Sequence, residues 1–368
     1  MTGRDYHNPV EVIPSDDWLD SSRQQLERLN VRRPLVVASA GGVRRWSLGD
    51  HFPVTQIFSG VAPNPTLESC QAAVDFTLAG SFDGVLALGG GSVMDTAKCI
   101  LAALGTGKSR LPDLLAHRSA MPHRVPGIFI PTTHGTASEV TMWGTIWDFG
   151  EPRKYSISHP GLYPDAAILD PHLTLGLPLD VSLTTTMDAL SHSFEAVWNK
   201  HALARSTDHA LEAIIAILTH APVLKERPQD LEVRRALLMA ATTAGLAFSN
   251  TRTAAAHAIS YPLTLRFGLP HGIASSFALL PLLEINAPEI RPALDRLYDG
   301  LDLSGLADLK ERIREVPAGQ LPYRLRDWGV RRDMLDELTG QCFTGDRMVN
   351  NIVDLSHQQV RDILEEVF

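Results

Sequence analysis

From residue 84 the chain runs Gly84-Val85-Leu86-Ala87-Leu88-Gly89-Gly90-Gly91-Ser92 and continues into a segment rich in alanine and leucine. An apolar run of this length is typical of a buried strand, and residues 93–104 have the spacing of an amphipathic helix. Glycines at such a junction let the backbone approach a ligand closely, and the start of a helix favours an anion. The stretch predicts a strand, a turn and a helix. The turn is either a phosphate-binding loop or only a tight connection.

The same alternation of strand and helix continues on both sides of this stretch. Buried strands that alternate with helices are typical of a parallel sheet with helices on both faces, so the predicted fold class is α/β. We predict strands at 35–38, 54–58, 84–88, 127–130 and 166–170, a hairpin from 145–148 and 154–158, and a further helix at 67–79.

The character of the sequence changes near residue 178. From about residue 181 to the end, helical periods of alanine and leucine dominate. We therefore predict an α/β domain over residues 1–178 and a helical domain over residues 179–368. One buried helix is expected at 273–285, because this leucine-rich stretch is too short to span a membrane.

The composition limits the class of protein. With 44% hydrophobic and 20% charged residues it is that of a globular protein. A formal net charge of −9 argues against nucleic acid as a partner, because phosphate binding needs a basic surface. Cys70, Cys99 and Cys342 cannot form a disulfide framework, so reduced thiols and a cytoplasmic location are expected. The first residues lack the apolar core of a secretory signal, and no membrane contact is expected.

Four side chains in the second half of the sequence form a pattern that suits a metal. Asp188 and His192 are four residues apart, which places both on one face of a helix, and His257 and His271 follow. One carboxylate and three imidazoles suit a divalent metal such as Fe²⁺ or Zn²⁺. The chain has 14 histidines, so chance is the alternative for the Asp–His pair taken alone. We predict a metal site because a glycine-rich turn and a Pro-His-Gly turn accompany the pair.

Together, segments 89–98, 131–141, 188–195 and 257–272 resemble the iron-containing (group III) alcohol dehydrogenase family, in the same order along the chain. The resemblance implies a Rossmann-like N-terminal domain with a parallel sheet, an all-helical C-terminal domain of the dehydroquinate synthase-like architecture, and NAD(P) in the cleft between them. It also implies an oxidoreductase that interconverts alcohols and aldehydes. The implied metal is Fe²⁺, with Zn²⁺ suited to the same ligands, and the implied ligands are Asp188, His192, His257 and His271.

The resemblance also implies which residues bind the cofactor. Gly90, Gly91 and Ser92 would hold the pyrophosphate. The hydroxyl groups and glycine of residues 131–141 suit the wall of a nucleotide site. The alternative is an ordinary loop in which these hydroxyl groups cap neighbouring backbone. The rest of the nucleotide site would be lined by Asn64, Asp95, Thr132, Thr133, Thr136, Thr141 and Lys154.

Tyr261 is the first departure from the family pattern. Many members carry a histidine four residues after the third metal ligand, and here that position is Tyr261. A phenol with an ordinary pKa near 10 is protonated at pH 7, so it can donate a proton to a nascent alkoxide. We predict that Tyr261 is a catalytic proton donor and that the enzyme favours aldehyde reduction. The alternative is a tyrosine packed beside the site.

Arg252 is the second departure. Many relatives are rich in glycine at Asn250-Thr251-Arg252-Thr253. A guanidinium suits phosphate-like oxyanions, so Arg252 is predicted to contact an anionic substrate, with His134 and Lys154 as helpers. The alternative is a surface salt bridge. The segment from Thr251 to Pro262 resembles the phosphonoacetaldehyde reductase branch of the family, whose members make 2-hydroxyethylphosphonate.

The second predicted strand bears on the choice of cofactor. NAD-preferring relatives often carry an aspartate after this strand, but here the run is Ala38-Ser39-Ala40-Gly41-Gly42, with Arg44 and Arg45 behind it. The missing acid and the nearby arginines favour NADP(H) over NAD(H). The alternative is that both arginines lie on an ordinary surface.

Three other functions compete with a reductase of phosphonoacetaldehyde. These are a reductase or dehydrogenase of simple aliphatic aldehydes and alcohols, a dehydroquinate synthase-like lyase, and a nucleotide-binding protein without catalysis. The Asp188–His192 pair argues against the lyase, which uses a different ligand set. We expect a small anionic aldehyde as the substrate, a homodimer as the assembly, and neither nucleic acid nor membrane as a partner.

Overall fold

A computed structural model describes residues 5–116, 121–151, 153–343 and 346–368. These residues form two compact units. The first consists of Pro9–Thr133 and Ala137–Thr174. The second consists of Leu175–Phe368, the short stretch His134–Thr136 and the N-terminal segment up to Asn8.

The first unit is built on a parallel sheet. Six strands lie in the order β1-β8-β5-β4-β2-β3, and every neighbouring pair is parallel. The remaining two strands, β6 and β7, form an antiparallel hairpin. This sheet confirms the predicted α/β class. The strands are β1 (Glu11–Pro14), β2 (Pro34–Val37), β3 (Ile57–Phe58), β4 (Gly84–Gly89), β5 (Gly127–Pro131), β6 (Trp143–Asp148), β7 (Arg153–Ser158) and β8 (Ala166–Leu169).

Helices cover both faces of this sheet because successive strand residues point to opposite sides. On one face, Leu86 and Leu88 of β4 pack in a cluster with residues of helices α1 to α3. On the other face, Val85 and Ala87 pack in a cluster with residues of helices α4 to α6. The two apolar clusters explain why the strands are apolar throughout rather than alternating. The helices are α1 (Trp18–Arg28), α2 (Ala40–Arg45), α3 (Leu48–His51), α4 (Leu67–Ala79), α5 (Gly91–Thr106) and α6 (Leu111–Ala116).

The register of the two central strands brings two loops together at one edge of the sheet. Gly89 at the end of β4 pairs with Pro131 at the end of β5. The backbone N–H of Thr132 donates to the carbonyl of Gly89 at 3.2 Å. The glycine-rich turn and the loop that follows Pro131 are therefore neighbours, at the carboxyl ends of the strands where ligands of α/β sheets bind.

The second unit contains only helices and short turns among its described residues. Three long helices, α7, α8 and α9, pack against one another, and α10 and α11 pack beside α7. Its helices are α7 (Leu179–Val197), α8 (Ala204–Glu226), α9 (Leu231–Thr251), α10 (Ala255–Phe267), α11 (His271–Ser276), α12 (Leu279–Asn286), α13 (Arg291–Leu301), α14 (Leu306–Glu315), α15 (Leu335–Gln341) and α16 (His357–Glu366).

Two predicted elements differ from the structure. Residues 54–58 were expected to form one strand, but Val54–Gln56 is a 3₁₀ turn and only Ile57–Phe58 joins the sheet. The helix predicted at 273–285 is two helices, α11 and α12. Within the described chain, one helical stretch, His271–Leu301, is long and apolar enough to cross a membrane, and 67% of its apolar window is buried inside the protein. Such burial is what a core helix of a globular protein shows.

Candidate functional site

The four predicted metal ligands converge in the helical unit around one carboxylate oxygen. Oδ1 of Asp188 lies 3.5 Å from Nε2 of His257, 3.8 Å from Nε2 of His271 and 4.0 Å from Nε2 of His192. Asp188, His192 and His257 are buried, whereas the side chain of His271 is 28% exposed. The cluster therefore has a buried side and an accessible side.

Local packing explains why His271, the first residue of α11, lies beside Asp188. Gly268 ends α10 in a left-handed conformation with φ +67°, and the chain then turns back through Pro270. Gly272 lies so close to α7 that an added methyl group would overlap the carbonyl oxygen of Thr184. Glycine is thus required beside His271, because only its small size allows α11 to approach Asp188.

Glu195 fixes the orientation of His257. Nδ1 of His257 donates to Oε2 of Glu195 at 2.5 Å, and the backbone N–H of His257 donates to Oε1 at 3.0 Å. Against the effect of burial, His257 and the backbone N–H of Ala254 lower the pKa of this carboxyl group. With one proton kept on Nδ1 by Glu195, a metal would bind His257 by displacing the proton from Nε2, which lies 3.5 Å from Oδ1 of Asp188. A carboxylate behind a histidine in this way is typical of metal sites.

The buried charges of the cluster favour a cation. Burial works against the charged forms, but the carboxylates of Glu195 and Asp188 outweigh it and raise the pKa of His257 to about 10. Burial also opposes ionisation of Asp188, yet the surrounding histidines hold the pKa of its carboxyl group well below its usual range. Two ionised carboxylates inside the helical unit create a strong demand for positive charge.

The residues present fit a divalent metal. Asp188, His192 and His257 each offer a ligand atom, and these atoms all lie within 4.8 Å of one another. Ligand atoms at 2.0–2.1 Å from a tetrahedral metal are roughly 3.4 Å apart, which is close to the separations around Asp188. Nε2 of His257 is buried and has no hydrogen-bond partner among the described residues, as expected of a ligand atom. His271 completes the set from the accessible side.

The glycine-rich turn is suited to a phosphate group. Gly90 precedes α5, and no side chain caps the start of this helix. A Cβ atom on Gly90 would lie 3.1 Å from Cγ2 of Thr133, so a side chain there would fill the space between the turn and the neighbouring loop. Gly91 and Ser92 are partly exposed in the first turn. An uncapped helix start beside partly exposed glycines can bind a pyrophosphate.

Asp95 and Thr141, expected to line the nucleotide site, are engaged in an internal network. Lys98 is fully buried, and its Nζ donates to Oγ of Ser138 at 2.7 Å and to Oγ1 of Thr141 at 2.9 Å. Asp95 accepts from Oγ of Ser138 at 2.8 Å and from the N–H of Thr145 at 3.0 Å. Burial lowers the pKa of Lys98 to about 8, against the attraction of Asp95. These residues hold the loop 138–145 against α5.

The other predicted cofactor residues fall in two places. Asn64 has a positive φ of 50°, and its N–H donates to Oγ of Ser92 at 3.1 Å, which places it at the glycine-rich turn. Thr132 and Thr133 lie on the neighbouring loop. Lys154 lies on β7 with its ammonium 5.7 Å from the ring centre of Trp147. Thr136 belongs to the helical unit instead.

Arg252 has an unusual backbone and a free side chain. Its φ of 64° and ψ of −179° lie in a region that is almost restricted to glycine and costs a side chain roughly 1–3 kcal/mol. The side chain is exposed. In the part of the chain that the structure describes, its guanidinium makes no hydrogen bond, ion pair or cation–π contact. The alternative prediction of a structural salt bridge is therefore not met among these residues.

Tyr261 and His134 occupy different environments. Tyr261 lies on α10 four residues after His257, hence on the same face of the helix, and is partly buried. His134 is fully buried, and neither ring nitrogen has a hydrogen-bond partner among the described residues. Burial, with the Arg234 guanidinium nearby, lowers the pKa of His134 to about 3. His134 is therefore neutral at pH 7, so its help to an anion would be limited to a hydrogen bond from a neutral ring N–H.

Three residues that contact the candidate site or the turn beside it were not assigned from the sequence. Glu195 lies seven residues after Asp188 and three after His192, so helical spacing could have placed it on the same face. Ser275 donates to Oδ1 of Asp188 at 3.2 Å. Asn350 hydrogen-bonds to the Thr253 carbonyl across 97 residues of sequence, and no local pattern signals such a contact.

Two family models together match most of the chain. A family model described as iron-containing alcohol dehydrogenase matches residues 9–171. A second model, described as the C-terminal part of the Fe-containing alcohol dehydrogenase family, matches residues 182–368. These matches and the relatives below confirm the resemblance that the motifs suggested.

The individual relatives differ in the substrate that their names give. The probable alcohol dehydrogenase EutG of Escherichia coli is 34% identical over 72% of this chain and 68% of its own length. The phosphonoacetaldehyde reductase of Streptomyces viridochromogenes is 36% identical over 55% of this chain and 53% of its own length. The structure of sulfoacetaldehyde reductase from Bifidobacterium kashiwanohense, in complex with NAD⁺, has a TM-score of 0.91 at 25% identity and covers 99% of this chain and 98% of that one.

Proposed function

The chain belongs to the iron-containing alcohol dehydrogenase family, and on this premise we propose that it reduces phosphonoacetaldehyde to 2-hydroxyethylphosphonate with NADPH. An NAD(P)-dependent oxidoreductase that interconverts an aldehyde and an alcohol follows from the family itself. The identity of the aldehyde and the preference for NADPH are the proposed part.

Arg252 is the observation that carries the choice of substrate. A phosphonate brings oxyanions that must lose water to enter an active site, and an unpaired charge is costly there. The protein has a formal net charge of −9, so an anionic substrate needs a local cation. The guanidinium of Arg252 has no partner among the described residues and lies five residues before His257 in the sequence. A neutral aldehyde would give this side chain no partner.

The relatives support an anionic aldehyde without selecting one. One is named for phosphonoacetaldehyde, and another for sulfoacetaldehyde, which carries a sulfonate instead. EutG, at a similar identity, is named only as an alcohol dehydrogenase. A phosphonate carries more negative charge than a sulfonate and pairs better with a bidentate guanidinium, so we favour the phosphonate.

The chain's own residues have separate tasks in this reaction. A bound divalent metal supplies Lewis-acid polarisation of the aldehyde oxygen, and a bound nicotinamide supplies hydride. Asp188, His192, His257 and His271 would hold the metal, with Fe²⁺ as the proposed ion, while Glu195 fixes the tautomer of His257. Tyr261 would hold a proton on its Oη and donate it to the alkoxide oxygen that hydride transfer creates, which completes the alcohol, and water would then return a proton to Oη.

The preference for NADPH rests on the end of β2. No carboxylate follows this strand, and the hydroxyl of Ser39 is used to cap α2 through the N–H of Gly42. Arg44 and Arg45 are both exposed on α2. Without an acid for the ribose 2′-hydroxyl, and with two arginines nearby, a 2′-phosphate would be accommodated.

An aldehyde panel tests the proposal. The full chain is reconstituted separately with Fe²⁺ and Zn²⁺ and assayed with NADPH and NADH on phosphonoacetaldehyde, sulfoacetaldehyde and propionaldehyde. We expect the highest kcat/KM for phosphonoacetaldehyde with NADPH. A higher value for propionaldehyde would instead identify a reductase of simple aliphatic aldehydes, and a higher value for sulfoacetaldehyde would identify the sulfonate as the substrate.

Arg252→Ala adds a residue-level control to the panel. Because Arg252 is exposed in the structure, we expect a loss near the lower limit for one partner of a charge pair, about 2 kcal/mol or ~30-fold in kcat/KM, for phosphonoacetaldehyde. Propionaldehyde should be reduced at nearly the original rate. Equal losses for both substrates would make Arg252 a structural residue.

A further inference from the structure

The turn between α9 and α10 holds a backbone conformation that its sequence does not favour. Arg252 has φ +64° and ψ −179°, where a Cβ atom is strained. Strained conformations persist only when surrounding contacts fix them. The contacts that fix this turn are therefore informative about what the turn does.

Side chains hold the two carbonyl groups of the turn. The carbonyl of Arg252 accepts from Oγ1 of Thr251 at 2.9 Å and from Nδ2 of Asn199 at 3.2 Å. The carbonyl of Thr253 accepts from Nδ2 of Asn350 at 2.8 Å. Asn199 and Asn350 are 2% and 7% exposed, so water does not compete strongly for these amides.

The two asparagines are fixed by their own surroundings. Oδ1 of Asn199 accepts from the N–H of His201 at 3.0 Å. The N–H of Lys200 donates to the carbonyl of Asn350 at 2.8 Å. Asn199 also forms an antiparallel bridge with Asn351. The end of α7 and the C-terminal segment 348–351 thus form one support with both amides directed at the turn.

The other side of the turn is held by Glu195. Its carboxylate accepts from the N–H of His257 at 3.0 Å, in the first turn of α10. The turn is therefore hydrogen-bonded through its carbonyls, and the helix that follows it is hydrogen-bonded to Glu195. In contrast, the guanidinium of Arg252 contacts none of the described residues. The support fixes the backbone that carries a free cationic side chain.

We propose that Asn199 and Asn350 form an amide clamp that holds Arg252 in its strained conformation and thereby positions its guanidinium for the oxyanion of the substrate. The clamp makes the C-terminal segment 348–351 a determinant of substrate choice, although it contributes none of the predicted metal or cofactor residues. The inference rests on the proposed function, because it assigns Arg252 to an anionic substrate. Asn199 and Asn350 are positioning residues and Arg252 is the residue they position.

Isosteric variants of the clamp test the proposal. Asn350→Asp and Asn199→Asp each replace a donating amide with an oxygen that faces a carbonyl, and Asn199→Asp keeps the oxygen that accepts from His201. The measured quantity is the ratio of kcat/KM for phosphonoacetaldehyde to that for propionaldehyde, in metal-reconstituted full-length protein. We expect each variant to lower this ratio about 10-fold, mainly through KM of the anionic aldehyde, with little change for propionaldehyde.

Thr339→Ala is the control for stability. Thr339 is buried in the same unit, and the hydrogen bond of its Oγ1, 2.8 Å from the carbonyl of Leu335, lies within α15 and outside the support of the turn. This variant should lower stability while leaving the ratio of the two substrates unchanged. If Thr339→Ala lowers the ratio as much as Asn350→Asp does, selectivity follows general stability and the clamp is overturned.

A second measurement tests the strained backbone without any substrate. Arg252→Gly and Arg252→Ala both remove the guanidinium, but only glycine accepts the conformation without strain. We expect Arg252→Gly to melt at a higher temperature than Arg252→Ala. An equal or lower melting temperature would mean that the turn relaxes freely and that no clamp exists.

The two measurements separate failure of the clamp from failure of the proposed function. If Arg252→Ala loses selectivity for phosphonoacetaldehyde but Asn199→Asp and Asn350→Asp keep it, the proposed function stands and the clamp is overturned. If Arg252→Ala keeps its selectivity, the role of the clamp in substrate choice is overturned together with the proposed substrate, even if the glycine variant melts higher.

Discussion

At the scale of single residues, Glu195 links the backbone of α10 to the metal cluster. Its carboxylate accepts both the Nδ1 proton and the backbone N–H of His257, so it fixes the ring and the start of the helix together. Glu195 itself is fully buried. Such a residue would act on a bound metal without touching it, because it keeps the proton of His257 on Nδ1 and leaves Nε2 for the metal.

Glu195→Gln should weaken metal binding while preserving the fold. The amide can no longer act as a charged acceptor for the Nδ1 proton, so the orientation of His257 is lost. We expect the metal dissociation constant to rise about 10–100-fold, measured by competition with a chelator. Glu232→Gln, on the exposed first turn of α9, is the matched control. An unchanged dissociation constant for Glu195→Gln would contradict the role assigned here.

Tyr261→Phe should slow aldehyde reduction without loss of cofactor binding. The variant removes the Oη that would donate a proton to the product, and acid groups of this kind contribute about 10²–10⁴-fold. Single-turnover reduction, in which chemistry limits the rate, is the suitable measurement, together with NADPH affinity as a control. A variant with the original single-turnover rate would mean that water or another group donates the proton.

The four candidate metal ligands could be singled out from the sequence, and the structure brings them together, but the residues that support them could not be predicted. Asp188 and His192 stand at helical spacing, and the family motifs gave the two later histidines their place. Asn350 contacts Thr253 over 97 residues, so only the folded chain brings the two together. The strain at Arg252 was equally hidden, since a positive φ at an arginine goes against its local preference.

At the scale of elements, the position of α11 depends on one glycine. Gly272→Ala would place a methyl group against the carbonyl of Thr184 on α7, and backbone atoms cannot move aside cheaply. We expect α11 to shift away from Asp188 and metal affinity to fall at least 10-fold, with a loss of stability of about 1–3 kcal/mol, in the range of overpacked cores. Metal titration and chemical unfolding measure the two effects.

A glycine elsewhere in the same unit provides the control for this variant. Gly340→Ala introduces a methyl group with no atom within 4 Å, at a position of α15 where helix propensity favours alanine. It should leave metal affinity unchanged and stability equal or higher. If Gly272→Ala behaves like Gly340→Ala, the close approach of α11 to α7 is not what places His271.

Strands with two buried faces were the most predictable elements. β2, β4, β5 and β8 are apolar throughout because helices cover both sides of the sheet, and this leaves a clear signal. β1 was missed because it is an edge strand whose ends are exposed, so its four residues lack an apolar run. The apolar stretch 273–285 was interpreted as one helix because hydrophobicity does not reveal the break at Phe277–Ala278.

At the scale of the whole molecule, His134 should contribute to acid lability. Its pKa is lowered from 6.5 to about 3 by burial, with a smaller effect of Arg234, so between these pH values the unfolded chain binds a proton that the folded chain does not. Stability must therefore fall as the pH decreases through this window, by up to ~1.4 kcal/mol per pH unit. Above pH 6.5 the effect is absent, because both states are neutral there.

His134→Leu should remove this part of the pH dependence. The difference in unfolding free energy between the original protein and the variant should shift in favour of the variant by about 3 kcal/mol between pH 6.5 and pH 4. Chemical unfolding at a series of pH values measures it. A difference that stays constant over this range would mean that His134 titrates normally in the folded protein.

Four polar side chains follow one another on α7 and just beyond its end, at positions 188, 192, 195 and 199. Separations of four and three residues keep the first three on one side of the helix, and Asn199 follows four residues later, just past its end. Insertion or deletion of a single residue inside this segment would rotate everything after it by about 100° and separate the metal ligands from Glu195 and Asn199. Related chains should therefore vary in length at the connections, such as residues 302–305 between α13 and α14, while the interval from 188 to 199 keeps a constant length. For protein engineering, residues 188–199 should therefore be transferred into a related protein only as one uninterrupted segment.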